Sequence, residues 1–195
     1  MQQDALKDLA LETLQSPRSA AQKIMNLFLG RDVLWTALVL VAVLNSIIFG
    51  ISILTEDVSQ LPSFMRNPIS FLFIIAGVQV MSVHGFYWAG RAIGGQGDLG
   101  DLLSLLVWLQ ALQMAAQAVL FVVTIIAPTI GQLLSLGVSG MALWITVNFI
   151  TEALRLPTLL HGVGVIVLAA VGVAFGLMML IGLIGMGAMG VSPNV

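Results

Sequence analysis

Long apolar runs alternate with short polar connections along this chain. Five runs are long enough to cross a hydrocarbon core of about 30 Å, which takes about 20 mostly apolar residues in a helix. They are continuously apolar, whereas the strands of a membrane β-barrel alternate in polarity over about 10 residues. The pattern therefore predicts five spanning helices. We place them at about residues 33–54, 69–90, 102–127, 132–151 and 157–186.

Composition supports a membrane protein over a soluble one. Hydrophobic residues make up 59% of the chain and charged residues 8%, whereas soluble domains have about 45–50% and about 25%. Such a chain could not cover its apolar surface with charges in water, which excludes an ordinary soluble enzyme. The net charge of -2 also argues against a nucleic-acid partner. The expected fold is an all-α, polytopic transmembrane bundle of five spans, formed by residues 33–190.

The basic residues predict the orientation, because short cytoplasmic loops carry an excess of Lys and Arg. In a five-span topology, six of the seven basic residues fall on one side and only Arg66 falls on the other. The six are Lys7, Arg18, Lys23, Arg31, Arg91 and Arg155. We therefore expect a cytoplasmic N-terminus and an external C-terminus, in a bacterial inner membrane.

Residues 1–32 form an amphipathic segment ahead of the first span. Its opening has no secretory signal pattern, and Ser16–Pro17 is a favourable start for a second short helix. We expect two cytoplasmic helices on the membrane surface, with Ile24, Leu27 and Phe28 in the interface. The alternative is that the helices simply pack against the bundle.

The order of these segments is similar to that of a known family. The preamble SPRSAAQKIMNLFLG leads into the first span, and the second span ends in YWAGRAIGGQGDLGDLLSLLVW before three more spans follow. The chain thereby resembles the Yip-domain family, five-span membrane proteins named for interaction with Ypt/Rab GTPases. The resemblance implies the five-span fold and the short, prokaryotic-like branch. Rab-binding members have a longer N-terminal region with tyrosine motifs, whereas this chain has one tyrosine, Tyr87, so a GTPase partner is not implied.

A glycine-rich connection links the second and third spans. It contains Gly94, Gly95, Gly97, Asp98 and Asp101. Residues 95–100 match the G-x-G-x-x-G spacing of dinucleotide-binding folds, but those glycines follow a short strand in a βαβ unit. Here they follow an apolar helix, so we interpret the connection as a tight cytoplasmic turn. Its carboxylates would lie at the positive end of the third span.

Three ionisable residues are expected at membrane depth, where such groups are costly and often functional. They are His84, Glu152 and His161. Two imidazoles and a carboxylate could form a metal site or a proton relay. The simpler interpretation is preferred: Glu152 pairs with Arg155 one turn later, and each histidine bonds a neighbouring helix. We expect no metal and no cofactor.

The third span carries an amide stripe, Gln110, Gln113 and Gln117. At about 100° per residue these side chains share one helix face, and lipid cannot satisfy them, so the face should point into the bundle. The amides would hold helices together or, alternatively, line a path for a small solute. Further amides lie in the other spans, at Asn45, Gln79 and Asn148.

Small residues in the fifth span are typical of close helix packing. Gly172 and Gly176 form a GxxxG pair, which lets two backbones approach. The contact would be with another span of the same chain or with a second membrane protein, including a second copy.

Together these features predict a non-catalytic membrane-organising or scaffold protein whose partners are the bilayer and other membrane proteins. No cysteine is present, and no nucleophile elbow, P-loop or H-E-x-x-H motif occurs. The alternative function is a small-solute or ion permease that uses the amide stripe. A membrane-embedded enzyme is a third, weaker hypothesis.

Overall fold

The computed structural model describes residues 2–52 and 67–189, with side chains described for residues 4–51 and 67–179. Seven helices lie in these ranges. They are α1 (Gln2–Gln15), α2 (Pro17–Met25), α3 (Arg31–Ser52), α4 (Pro68–Ala92), α5 (Leu99–Ile126), α6 (Pro128–Ala153) and α7 (Leu159–Met189). The acidic stretch with Glu56, Asp57 and Arg66 lies outside the described residues.

The five predicted spans are confirmed as α3 to α7, each long and apolar enough to cross a bilayer. Their observed ends differ from the expected ones by up to four residues. The largest difference is at α6, which begins at Pro128 rather than Gln132. The fixed φ of proline suits the first helical turn, so Pro128 both ends α5 and starts α6.

The spans run antiparallel, so that their ends gather at two levels. At one level lie the start of α3, the end of α4, the start of α5, the end of α6 and the start of α7. The helices α1 and α2 also pack there, against α5 and α6. We call this level the capped end, and the opposite level, where α5 meets α6, the far end.

The buried core lies mainly in the capped half of the bundle. On α5 the buried side chains stop at Leu109, and on α6 most of them begin at Ile145. Phe149 is the largest fully buried side chain and is 0% exposed, whereas Phe121 in the far half is 67% exposed. Closest packing is therefore at the capped end, and much of the far half presents apolar side chains outward.

Helix α2 packs against protein rather than lying free on a membrane surface. Ala20, Ala21 and Ile24 are buried against the bundle. The expectation that Ile24 lies in the membrane interface was therefore wrong, because its side chain joins the protein core. Leu27 and Phe28 are exposed in the connection that follows, and their place in the membrane interface stays a prediction. The packing alternative is the one observed for α2.

The four tryptophans lie in the capped half. Trp35 and Trp88 lie four residues from the capped ends of α3 and α4. Trp108 and Trp144 lie nine residues from the capped ends of α5 and α6. Tryptophan favours the membrane–water interface.

Candidate functional site: the capped end

The glycine-rich connection between α4 and α5 is a tight turn that closes on itself. Gly94 has φ +95°, and the Gly95 N–H donates to the Gly90 carbonyl at 2.8 Å while the Gly94 N–H donates to the Arg91 carbonyl at 3.1 Å. This pair of bonds is a Schellman ending, which satisfies carbonyls that the helix leaves free. The connection is therefore a tight turn, as the sequence indicated.

The end of α6 has the same kind of ending, with an arginine in the left-handed position. Arg155 has φ +52°, and the Leu156 N–H donates to the Thr151 carbonyl at 2.9 Å. Left-handed backbone is costly for a residue with a Cβ. With Arg155 in this conformation, the Leu154 carbonyl faces the glycine-rich connection.

Backbone hydrogen bonds join these two helix endings. The N–H groups of Gln96 and Gly97 both donate to the Leu154 carbonyl, at 3.0 and 3.2 Å. Gly97 lies so close to α6 that a Cβ would overlap the Ala153 carbonyl. A glycine is therefore required by the approach of the α6 backbone, which explains its place in the G-x-G-x-x-G spacing without a nucleotide.

The carboxylates of the connection organise the start of α5. Asp98 is the N-cap, and its side chain accepts the Leu99 N–H at 2.8 Å. It also faces Arg31 on α3, with an Arg31 Nη2–Asp98 Oδ1 distance of 3.4 Å. Asp101 lies in the first turn of α5. As expected, both carboxylates lie where the α5 dipole favours negative charge.

Glu152 joins α6 to α2. Its carboxylate lies 3.4 Å from Arg18 Nε, so the predicted pairing with Arg155 was wrong. Arg155 leaves the helix through its left-handed backbone, and its side chain is exposed. The pairing observed instead ties the N-terminal segment to the fourth span.

Helix α1 is held by its own set of polar contacts. The buried Thr13 hydroxyl donates to the Leu9 carbonyl at 2.7 Å and accepts a hydrogen bond from Trp108 Nε1 at 3.1 Å. Glu12 bonds Ser19 and Lys23, each at 2.7 Å. The hydrogen bond from Lys23, followed by that from Ser19, lowers the pKa of Glu12 from its ordinary value of 4.5. These contacts fold α1 back on α2 and seat it on α5.

Among the described residues neither histidine makes a hydrogen bond to a neighbouring helix, so the expectation that each does was wrong. His84 Nδ1 contacts the Val80 carbonyl of its own helix at 2.8 Å, and its ring stacks on Trp35 with centroids 5.9 Å apart. His161 Nδ1 lies 2.7 Å from the Thr158 hydroxyl. Within residues 2–52 and 67–189, no group of three His, Asp or Glu side chains could hold a metal ion.

The amide stripe is divided between different surroundings. Gln110 accepts a hydrogen bond from Gln79 Nε2 on α4 at 2.7 Å, while the Gln79 carbonyl oxygen is buried without a partner among the described residues. Gln113 lines a shallow apolar groove of about 200 Å³ between α5 and α6. Gln117 is exposed. Asn45 and Asn148 bond carbonyls of their own helices.

The two glycines of the GxxxG pair differ in what they face. Gly172 has open space around it, and Gly176 faces the end of the Met81 side chain on α4. Among the glycines of α7 up to residue 179, Gly162 has the least room, because a Cβ there would overlap the Thr151 hydroxyl of α6. This glycine is one of the small residues of the fifth span from which close helix packing was expected.

Comparison with known proteins identifies the family. The Yip1 domain matches residues 11–186. This range includes α2 to α6, the glycine-rich connection and most of α7. The chain belongs to the Yip1 family. No curated protein and no solved structure is matched by it. The Yip1 domain thus covers the spans and the helix that caps them, and the resemblance noted from the sequence is confirmed.

Proposed function

We propose that this Yip1-family protein is a non-catalytic organising or scaffold component whose capped end is its contact surface for protein partners. The observation that carries the proposal is the backbone connection between the glycine turn and α6. Two N–H groups share the Leu154 carbonyl there, so the surface is held rigidly before any partner arrives. Pre-ordered surfaces bind with a smaller entropic cost.

The exposed groups of the capped end suit a polar contact. Gln96 and Arg155 are exposed beside the connection, and Asp98 and Arg31 form an exposed ion pair. Phe28 adds an apolar group that is 85% exposed. A polar surface with a projecting aromatic residue resembles the make-up of transient protein interfaces.

The orientation is part of the proposal. Six basic residues belong to the capped end or the helices packed on it, so we place that end in the cytoplasm of a bacterial cell, at the inner membrane. The chain has no native cysteine, so single-cysteine variants are unambiguous. Lys7→Cys should resist an impermeant maleimide in intact cells, and Thr129→Cys at the far end should react. The reverse pattern would refute the orientation.

The contact surface is tested by site-specific crosslinking in native membranes. A photoreactive group attached to Gln96→Cys should capture a defined protein, and the same group on Thr129→Cys should not capture it. The partner should also be lost on adding Asp98→Lys to the Gln96→Cys background. Equal capture from both positions, or none from Gln96→Cys, would refute the proposed surface.

A permease is the second candidate, favoured by Gln113 and Gln117 of α5, which have no hydrogen-bond partner among the described residues. Weighing against it is the packed capped half, where Leu102, Leu103 and Leu105 are at most 1% exposed. Proteoliposome flux separates the two functions. Solute flux that is abolished by Gln113→Leu or Glu152→Gln in folded protein would favour transport over the scaffold proposal.

A further inference from the structure

Two amides of α5 lie within hydrocarbon without an internal partner. Gln117 is nine residues from Ile126 at the far end of the helix, or about 13 Å at 1.5 Å per residue. The midpoint of α5 falls between Leu112 and Gln113. Gln113 is therefore at about the middle of the span, and Gln117 lies one turn toward the far end, about 6 Å further along the helix.

Neither amide makes a hydrogen bond within the described residues. Gln110, one turn before Gln113, does bond Gln79. Amides with and without a hydrogen-bond partner therefore lie at neighbouring depths on α5. An unpaired amide in hydrocarbon is costly. A group from outside the chain is therefore needed to satisfy Gln113 and Gln117.

Depth decides which kind of group can do so. The polar groups of lipids lie at the two surfaces, about 15 Å from the centre of the hydrocarbon. A partner that reaches Gln117 must then carry its hydrogen-bonding group on another transmembrane helix. A second copy related by a two-fold axis along the membrane normal brings its own Gln113 and Gln117 to the same depths. An amide is both donor and acceptor, so it complements itself.

The surface beside Gln113 leaves room for such a partner. The groove next to it is lined by Leu112 and Ala116 on α5, by Val138 and Ala142 on α6, and by Leu14 of α1. The two alanines leave space for another helix to approach. Few residues of this far half are buried within the chain, so a second copy would supply packing that one copy lacks.

We propose that two copies of this chain associate within the membrane through Gln113 and Gln117 of α5. This surface is distinct from the GxxxG face of α7 and from the capped end, so it stands independently of the proposed function. The association is symmetric, with the amides of one α5 bonding those of the other.

The first test measures self-association in lipid vesicles. Full-length protein is labelled through Lys7→Cys, on the exposed side of α1, and energy transfer is followed as the protein-to-lipid ratio falls. The double variant Gln113→Leu/Gln117→Leu should weaken association about tenfold or more, because interhelical amide bonds contribute measurably in membranes. Gln132→Leu is the matched control, since this exposed amide lies at the far end near water, and it should change association less than twofold.

The second test keeps both amides. Leu120→Cys lies about 60° around the helix from Gln117, whereas Val119→Cys lies about 160° away. Oxidation in membranes should crosslink Leu120→Cys into dimers and leave Val119→Cys monomeric. This readout does not depend on the double variant folding correctly.

Monomeric protein at every protein-to-lipid ratio would overturn the proposal. So would association that survives the double variant, or crosslinking through Val119→Cys instead of Leu120→Cys.

Discussion

The capped half and the far half of this bundle are both formed by long apolar helices, yet they are held together differently. In the capped half, side chains such as Phe149 and Leu154 are fully buried, and backbone groups bond between helices. In the far half, Phe121 and many other large apolar side chains face outward. Hydrophobicity alone therefore does not tell where a membrane protein packs. Small residues and polar contacts do, because lipid tails compete with apolar side chains but cannot replace these contacts.

The largest expected effect comes from matched phenylalanines in the two halves. Phe149→Ala should lower the free energy of unfolding by about 3–5 kcal/mol, since it removes a fully buried ring and leaves a cavity. Phe121→Ala should change it by less than about 0.5 kcal/mol, as surface substitutions do. Reversible unfolding in mixed detergent micelles measures both. Equal losses would show that the two halves are packed alike.

The next effect tests the backbone connection at the capped end. Gly97→Ala places a Cβ against the Ala153 carbonyl and should lower stability by about 2–3 kcal/mol, within the range of overpacking. Gly140→Ala on α6 has open space around it and should change stability by less than about 1 kcal/mol. The same unfolding assay applies. A Gly97→Ala protein as stable as the parent would contradict the close approach described here.

A smaller effect tests the seating of α1 on α5. Trp108→Phe removes the donor to Thr13 and should lower stability by about 1 kcal/mol, the net contribution of one hydrogen bond. Trp144→Phe is the matched control, because Trp144 is half-exposed and should tolerate the change. If both variants lose the same stability, the Thr13 contact has no special role.

The smallest effect is a pH dependence confined to α1 and α2. The pKa of Glu12 is lowered in the folded protein by its hydrogen bonds to Lys23 and Ser19. A lowered pKa means that the contact stabilises fully above about pH 4.5 and that this stabilisation is lost as pH falls through the folded value. Spin labels on Asp8→Cys and Gln22→Cys should therefore move apart in acid.

The control for that titration is Glu12→Gln in the same labelled background. It cannot ionise, so the distance between the labels should no longer change with pH. Separation that persists with the same midpoint in Glu12→Gln would assign the titration to another group.

The fold could be predicted from the sequence because crossing a bilayer imposes a length and a composition that few other structures share. All five spans were found in this way, and the Ser16–Pro17 start of α2 was visible too. The exact ends of the helices were harder to predict from the sequence. Pro128 was read as the end of α5, but it also begins α6, since the same ring that stops one helix is suited to start the next.

The contacts at the capped end could be predicted only in part. The glycine turn and the helix-starting carboxylates follow local rules, so Asp98 was correctly placed at the start of α5. The Arg18–Glu152 and Thr13–Trp108 contacts join residues far apart in the chain, and no local pattern encodes such partners. For the same reason the nearest partner in sequence, Arg155, was a poor guide for Glu152.

The contacts of the Leu154 carbonyl also set the order in which the capped end can assemble during synthesis. Ribosomes synthesise α1 and α2 first, yet α5 and α6, against which they pack, begin more than 70 residues later. Likewise, the N–H groups of Gln96 and Gly97 have no acceptor until Leu154 has been synthesised. The capped end therefore assembles late, only after the fourth span has been inserted. A nascent chain that stops earlier would still expose Ala20, Ala21 and Ile24 to chaperones or proteases.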